Sequence, residues 1–208
     1  MTAGSKRGRY ALRVPKARPT AATPACRSTP ARGRDAAISL ARKQFISQQR
    51  VEMGPLAKEL GVSRMTINRW VGSRDQLLGE ITWMLGHSAL VDSRARASGS
   101  GVDIVADTLE GFIRTVLESP FMQHFLRQEG EIALRILTTR GSDLQRNFIH
   151  YVAELLTAEL PDHSANMPSA DLAYLIVRIA ESFCYVDMIT GDRPDASKVG
   201  VAIRALLS

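Results

Sequence analysis

Apolar side chains recur three or four residues apart from residue 35 to residue 207, and nowhere does sustained apolar/polar alternation suggest a strand. The fold class this predicts is all-α. Ala37, Ile38, Ala41 and Phe45 share one face of a first helix, which the polar Gln48, Gln49 and Arg50 bring to an end. Pro55 suits a first helical turn, where its missing N–H costs no bond; Leu56, Ala57 and Leu60 follow on one face until Gly61 stops this short second helix. Ser63 is placed to cap a third helix running through Trp70. Ser73 with Gln76 spells a capping box for a longer fourth helix, expected to reach residue 93.

A small, polar, Gly-rich break covers 94–101. Beyond it, helices are expected over 103–118, 121–139, 142–160, 171–190 and 195–207, about nine in all, with no internal repeat. The helix over 171–190 is apolar on much of its circumference and must be covered on more than one side. Leu172, Leu175, Ile176, Ile179 and Phe183 are assigned to its own core, which leaves Tyr174, Arg178 and Tyr185 for a partner, together with Val199, Ile203 and Leu206 from the last helix.

Charge divides the chain unevenly. Residues 1–34 hold nine of the 27 Lys and Arg and none of the 21 acids, so the remaining 174 residues carry a net −3 within the total of +6. Four prolines and few large apolar residues keep this stretch from offsetting its ordering entropy by burial. It reads as a disordered basic arm, either a solubilising tail or an arm adding phosphate attraction. Cys26 and Cys184 belong to no CxxC or Cys/His cluster, so neither a disulfide framework nor a metal site is expected. No uninterrupted apolar run approaches the ~18 residues of a membrane span, and the N-terminus lacks a signal peptide's apolar stretch. A soluble, cytoplasmic protein is expected.

On an ideal helix of about 100° per residue, Ile67 and Trp70 fall about 60° apart, while Arg64, Met65, Asn68 and Arg69 span about 140° of the opposite side. Arg can fork onto guanine O6 and N7, and Asn can pair with adenine N6 and N7, so the outward set suits major-groove readout. Ser63, Thr66 and Arg74 are placed to reach phosphates. The candidate DNA-binding set is therefore Ser63, Arg64, Met65, Thr66, Asn68, Arg69, Trp70 and Arg74.

The segment 56–81, LAKELGVSRMTINRWVGSRDQLLGEI, resembles the helix-turn-helix of the TetR family of transcription regulators without a gap. Three positions depart from the family pattern: Glu52 stands where a threonine usually caps helix two, Asn68 replaces the recognition-helix tyrosine, and Val71 replaces a phenylalanine. RWVGSRDQLLGEI, FLRQEGEIALRILT and ESFCYVDMITGDRPD are further similar to an actinobacterial subgroup that regulates quorum-signal lactone degradation. The resemblance implies a basic arm (1–34), a DNA-binding domain (35–80) and a ligand-binding and dimerisation domain (81–208). It also implies a homodimer on a double-stranded DNA operator, with a small-molecule inducer and no cofactor. The implied pocket draws on Trp83, His87, Phe112, His124, Phe148, Tyr151 and Phe183, with His87 and Tyr151 best suited to orient a polar oxygen. No HExxH, GxSxG or GxxxxGK[ST] pattern occurs, so no enzymatic constellation is visible. A carrier or sensor with a vestigial DNA head is the alternative from another class.

Overall fold

The structure, a computed structural model, describes residues 30–139, 143–161 and 167–208; residues 1–29 of the expected arm (1–34), Cys26 among them, lie outside the described residues. Eleven helices are found among the described residues: α1 (Pro30–Ile46), α2 (Met53–Glu59), α3 (Arg64–Val71), α4 (Arg74–Arg96), α5 (Val102–Glu118), α6 (Pro120–Gln128), α7 (Gly130–Thr138), α8 (Leu144–Glu159), α9 (Ser169–Cys184), α10 (Val186–Ile189) and α11 (Ala196–Leu207). The all-α expectation holds. The two predicted caps do too: Ser63 accepts from Thr66 N, and Ser73 and Gln76 form a reciprocal capping box; Asp195, expected as the first residue of the last helix, is instead the N-cap of α11.

Three boundaries differ from the pattern-based reading. Helix α1 starts at Pro30, so Arg34 is helical and reaches Glu80 of α4 at 2.7 Å. The single helix expected over 121–139 is two, because Glu129 leaves the helical region at φ −136°, ψ 41°. Both halves bury their apolar face in one core, so hydrophobic periodicity continues through a break made by backbone dihedrals alone. The helix expected over 171–190 also breaks, at Tyr185 (φ −110°, ψ 19°), whose ring is buried while Met188 and Ile189 of α10 stay exposed.

Helices α1, α2 and α3 pack as a small head around Ala37, Ala41, Leu56, Ile67 and Leu77, all fully buried. The 23-residue α4 runs from this head into the larger body, where it packs on α5, α7 and α8, and α11 closes the far side of α5. The positions of α1 and α3 are set by one close approach: a Cβ at Gly33 would stand 2.4 Å from Cη2 of Trp70. Gly33→Ala should therefore cost about 1–3 kcal/mol through overpacking and tilt α3 against α1. Urea denaturation with wild-type protein as reference measures it; an unchanged midpoint would mean the indole simply moves aside.

Candidate DNA interface and ligand cavity

The turn between α2 and α3 closes through Gly61 at φ 67° and a bond from Val62 N to Ala57 O at 3.0 Å. Ser63 Oγ lies 3.1 Å from Thr66 N and 2.9 Å from Thr66 Oγ1, so the first turn of α3 is satisfied by its own side chains. Ile67 and Val71 are buried beneath it. Arg64, Met65, Asn68 and Arg69 are exposed, Met65 by 82 %, and no ion pair among the described residues engages either arginine. A rigid short helix thus presents two fork-shaped cations, an amide and a methyl-bearing side chain to solvent. Glu52 does occupy the N-cap of α2, but its side chain caps nothing and instead pairs with Arg50 at 2.7 Å.

Two members of the predicted DNA set face elsewhere. Trp70 is the wedge against Gly33, with its indole N–H buried and unpartnered, so its ring packs inward on α1 and supports α3. Arg74 is mostly buried: its Nε donates to Val51 O at 2.6 Å and its Nη2 to Glu129 Oε1 at 2.8 Å. Capping-box logic placed a cation at a helix start, but the acid that claims it lies 55 residues away in sequence. Nearby, Arg135 of α7 pairs with Asp75 at 2.6 Å. The first turn of α4 is therefore bound once to the α6–α7 junction, at Glu129, and once to the last turn of α7, at Arg135. Arg74→Ala should destabilise the protein by about 3 kcal/mol, since it strands Glu129 in the interior, while leaving the salt dependence of DNA binding unchanged. Denaturation plus salt-titrated DNA binding checks both; a salt slope smaller by about one would return Arg74 to the phosphate-contacting set.

Inside the body, α4 to α9, with Arg42 of α1, line a cavity of about 270 Å³, just below the ~300–1,000 Å³ usual for small-molecule sites. Of the predicted pocket residues, Trp83, Phe112 and Phe148 line it, the last two packed edge to face at 5.2 Å. His87 and Tyr151 do not. They form an aromatic run between α4 and α8 in which exposed His87 is the middle ring, tilted 49° to Trp83 at 5.3 Å and edge-on to Tyr151 at 5.8 Å. His124 borders a separate, smaller hollow of about 140 Å³ with Phe45 and Glu129, and Phe183 lines neither space.

Residues absent from the sequence-based pocket supply its polar end. Glu181 is 6 % exposed, Oε1 accepts from Gln145 Nε2, and Arg178 Nη1 stands 2.6 Å from Oε2 without hydrogen-bond alignment. Burial pushes its carboxyl up to about 7 against the lowering influence of Arg178 and Gln145, and burial likewise pushes the adjacent Cys184 thiol up to about 12. One signal was available: Glu181 is the only acid within the apolar run 172–186. Exposed Arg42, Asp92 and Arg96 ring the cavity's outer end.

The folded protein holds the Glu181 proton where the unfolded chain has lost it, so this group's contribution is full below about pH 4.5 and is lost as pH rises to about 7. The span corresponds to roughly 3 kcal/mol. Glu181→Gln should flatten that decline and leave the variant more stable than wild type at about pH 8. Denaturation midpoints on both sides of neutrality measure it; parallel pH curves would show that the carboxyl titrates as in water.

The predicted partner face is also redistributed. Tyr185, Val199 and Ile203 are buried within the protomer, whereas Tyr174 is half exposed and Leu206 37 % exposed. Leu175 and Ile179, assigned to the core, are only partly buried and stand apart from the core cluster. The inward stripe of α9 runs instead through Leu172, Ala173, Ile176, Val177 and Ala180. Together with Tyr174 and Arg178, Leu175 and Ile179 leave an apolar strip open on α9.

A helix-turn-helix head joined by one continuous helix to a cavity-bearing helical body defines a DNA-binding transcription regulator. The chain belongs to the TetR family: residues 100–208 match the model of the tetracyclin repressor-like C-terminal domain. Among solved structures it resembles the R. erythropolis transcriptional repressor QsdR of the TetR family, with a TM-score of 0.78 and 24% identity over 84% of this chain and 94% of that one. It also resembles the TetR family repressor AlkX from Dietzia sp. strain DQ12-45-1b, implicated in biodegradation of n-alkanes, with a TM-score of 0.56 and 24% identity over 87% and 96%. No curated protein matches the chain.

Proposed function

We propose that the protein is a homodimeric repressor, working in the cytoplasm, that binds a roughly palindromic operator and is released by a small, largely apolar molecule. The observation carrying this reading is the outward face of α3, where Arg64, Met65, Asn68 and Arg69 stand free on a helix locked from beneath by Ile67 and Val71. Arg64, Asn68 and Arg69 read base edges, Ser63 and Thr66 approach phosphates, and the basic arm adds sequence-independent attraction. A lactone is the proposed inducer, from the similarity of residues 69–81, 125–138 and 181–195 to the lactone-degradation regulators.

The cavity and the reading head share α4, and the Arg74–Glu129 and Asp75–Arg135 pairs tie that helix's first turn to the α6–α7 junction and to the last turn of α7. A ligand that changes how α6 and α7 sit would therefore change the angle of the head. DNA and ligand affinities would be reciprocally coupled. Footprinting on the promoter region next to the chain's own gene tests the reading. Arg64→Ala or Asn68→Ala should each cost about 1–3 kcal/mol of operator affinity and relax sequence preference at one position. Equal binding to operator and competitor DNA would sink it and favour the carrier alternative.

Dimerisation is assigned to the open strip of α9, Tyr174, Leu175, Arg178 and Ile179, continued by Leu206. Ile179→Glu should convert the dimer to monomer and abolish cooperative half-site binding without lowering helix content. Light scattering and circular dichroism on the variant provide the check; a dimer of undiminished stability would place the interface elsewhere.

A further inference from the structure

A carboxyl group in an apolar wall raises a question the regulator reading alone does not answer. Phe112, Ile113, Met122, Leu137, Leu144 and Phe148 make most of the cavity hydrophobic, yet its inner end is closed by Glu181, Cys184 and Tyr185. Burying Glu181 costs stability, and its position in a fold of ample apolar choices points to a use. Its two neighbours are both donors: Gln145 Nε2 on Oε1 and the Arg178 guanidinium beside Oε2. They occupy the carboxyl as an acceptor and use about half of its roughly four lone-pair positions. Oε2 is buried and has no aligned hydrogen bond. Once ionised, above about pH 7, the group lining the cavity is thus an acceptor with capacity left over, and the one cation beside it, Arg178, is not aligned to hydrogen-bond Oε2.

Resting on the ligand-responsive reading above, we propose that the cavity selects an apolar molecule whose inner end carries an N–H or O–H donor, received by the free acceptor capacity of Glu181. A molecule whose polar atoms are all acceptors would set its lone pairs against those of the carboxylate and leave Oε2 unsatisfied, a loss hydrogen-bonding sites discriminate strongly. Among lactones this favours those bearing an acyl amide over a bare ring. The Arg178 guanidinium already neutralises part of the carboxylate charge, so a neutral donor suffices and a cation is not required.

The test uses the full chain and three probes of matched length: N-methyloctanamide, methyl octanoate and 1-octylamine, with affinity read by calorimetry and by Trp83 fluorescence. The first two differ only by N–H against ester oxygen. Wild type should bind the amide at least about ten-fold tighter than the ester. That preference should vanish in Glu181→Leu, which removes the acceptor and keeps the volume. It should persist, reduced, in Glu181→Gln, which retains a carbonyl oxygen and cannot ion-pair, so the leucine result does not depend on one variant folding. Octylamine binding tightest in wild type but not in Glu181→Gln supports a charged donor; amide and amine binding alike supports a neutral one. Equal affinity for amide and ester in wild type, or a preference that survives Glu181→Leu, overturns the donor inference. If saturating ester or amide still releases operator DNA, the ligand-gated reading stands without it; if the probes bind and none affects DNA, that reading fails while the donor preference is scored independently.

Discussion

The guanidinium of Arg74 joins three segments that are far apart in the chain: the end of the α1–α2 connection through Val51 O, the start of α4 on which it sits, and the α6–α7 junction through Glu129. Because both side chains are largely buried, separating them is costly: without Arg74, Glu129 keeps only the exposed Arg50, 3.9 Å away, as a counter-charge. This makes the junction a fixed point in the fold. The head cannot rotate independently of α6 and α7 unless Arg74, Glu129 and the Val51 carbonyl move together or separate together. Its second anchor, Arg135 to Asp75, is more exposed and contributes less, but it constrains the same helical turn from the other side.

The break at Glu129 follows from the same contact. A helix continuing through residue 129 would carry the carboxylate onward with the helical repeat; dihedrals outside the helical region turn it toward Arg74, and Gly130 opens the next helix. Met122 on α6 and Leu137 on α7 line the cavity on either side of this turn. The segment that encloses the cavity and the segment that clamps the head are thus one continuous piece of chain.

What the sequence revealed depended on how local the determining interaction is. Ser63 with Thr66, Ser73 with Gln76 and the apolar stripe 37–38–41–45 act within a few residues, and each was legible in the sequence. The intramolecular contacts of Trp70 and Arg74 were not legible because their partners, Gly33 and Glu129, are distant in sequence. Within the pocket, aromatic residues at helical spacing identified Trp83, Phe112 and Phe148 but could not rank His87 or Tyr151, whose ring contacts are decided by how α4 meets α8. Glu181 was passed over in favour of aromatics, although an acid isolated in an apolar helix is the stronger anomaly. On α9 the apolar surface is nearly all-round, so periodicity alone could not separate the core stripe of Ala173 and Val177 from the open strip of Leu175 and Ile179.

Helix α4 has a mechanical consequence through its length. Its 23 residues, at about 1.5 Å each, form a rod of roughly 35 Å, anchored at Ser73 by the capping box and bordering the cavity from Thr82 onward. A rod of that span converts a tilt of about 5° at one end into a displacement of roughly 3 Å at the other, comparable to the rise of one base pair along duplex DNA, about 3.4 Å. In the ligand-gated function proposed above, this leverage, more than the size of the occupant, is what would set how far the reading helix travels.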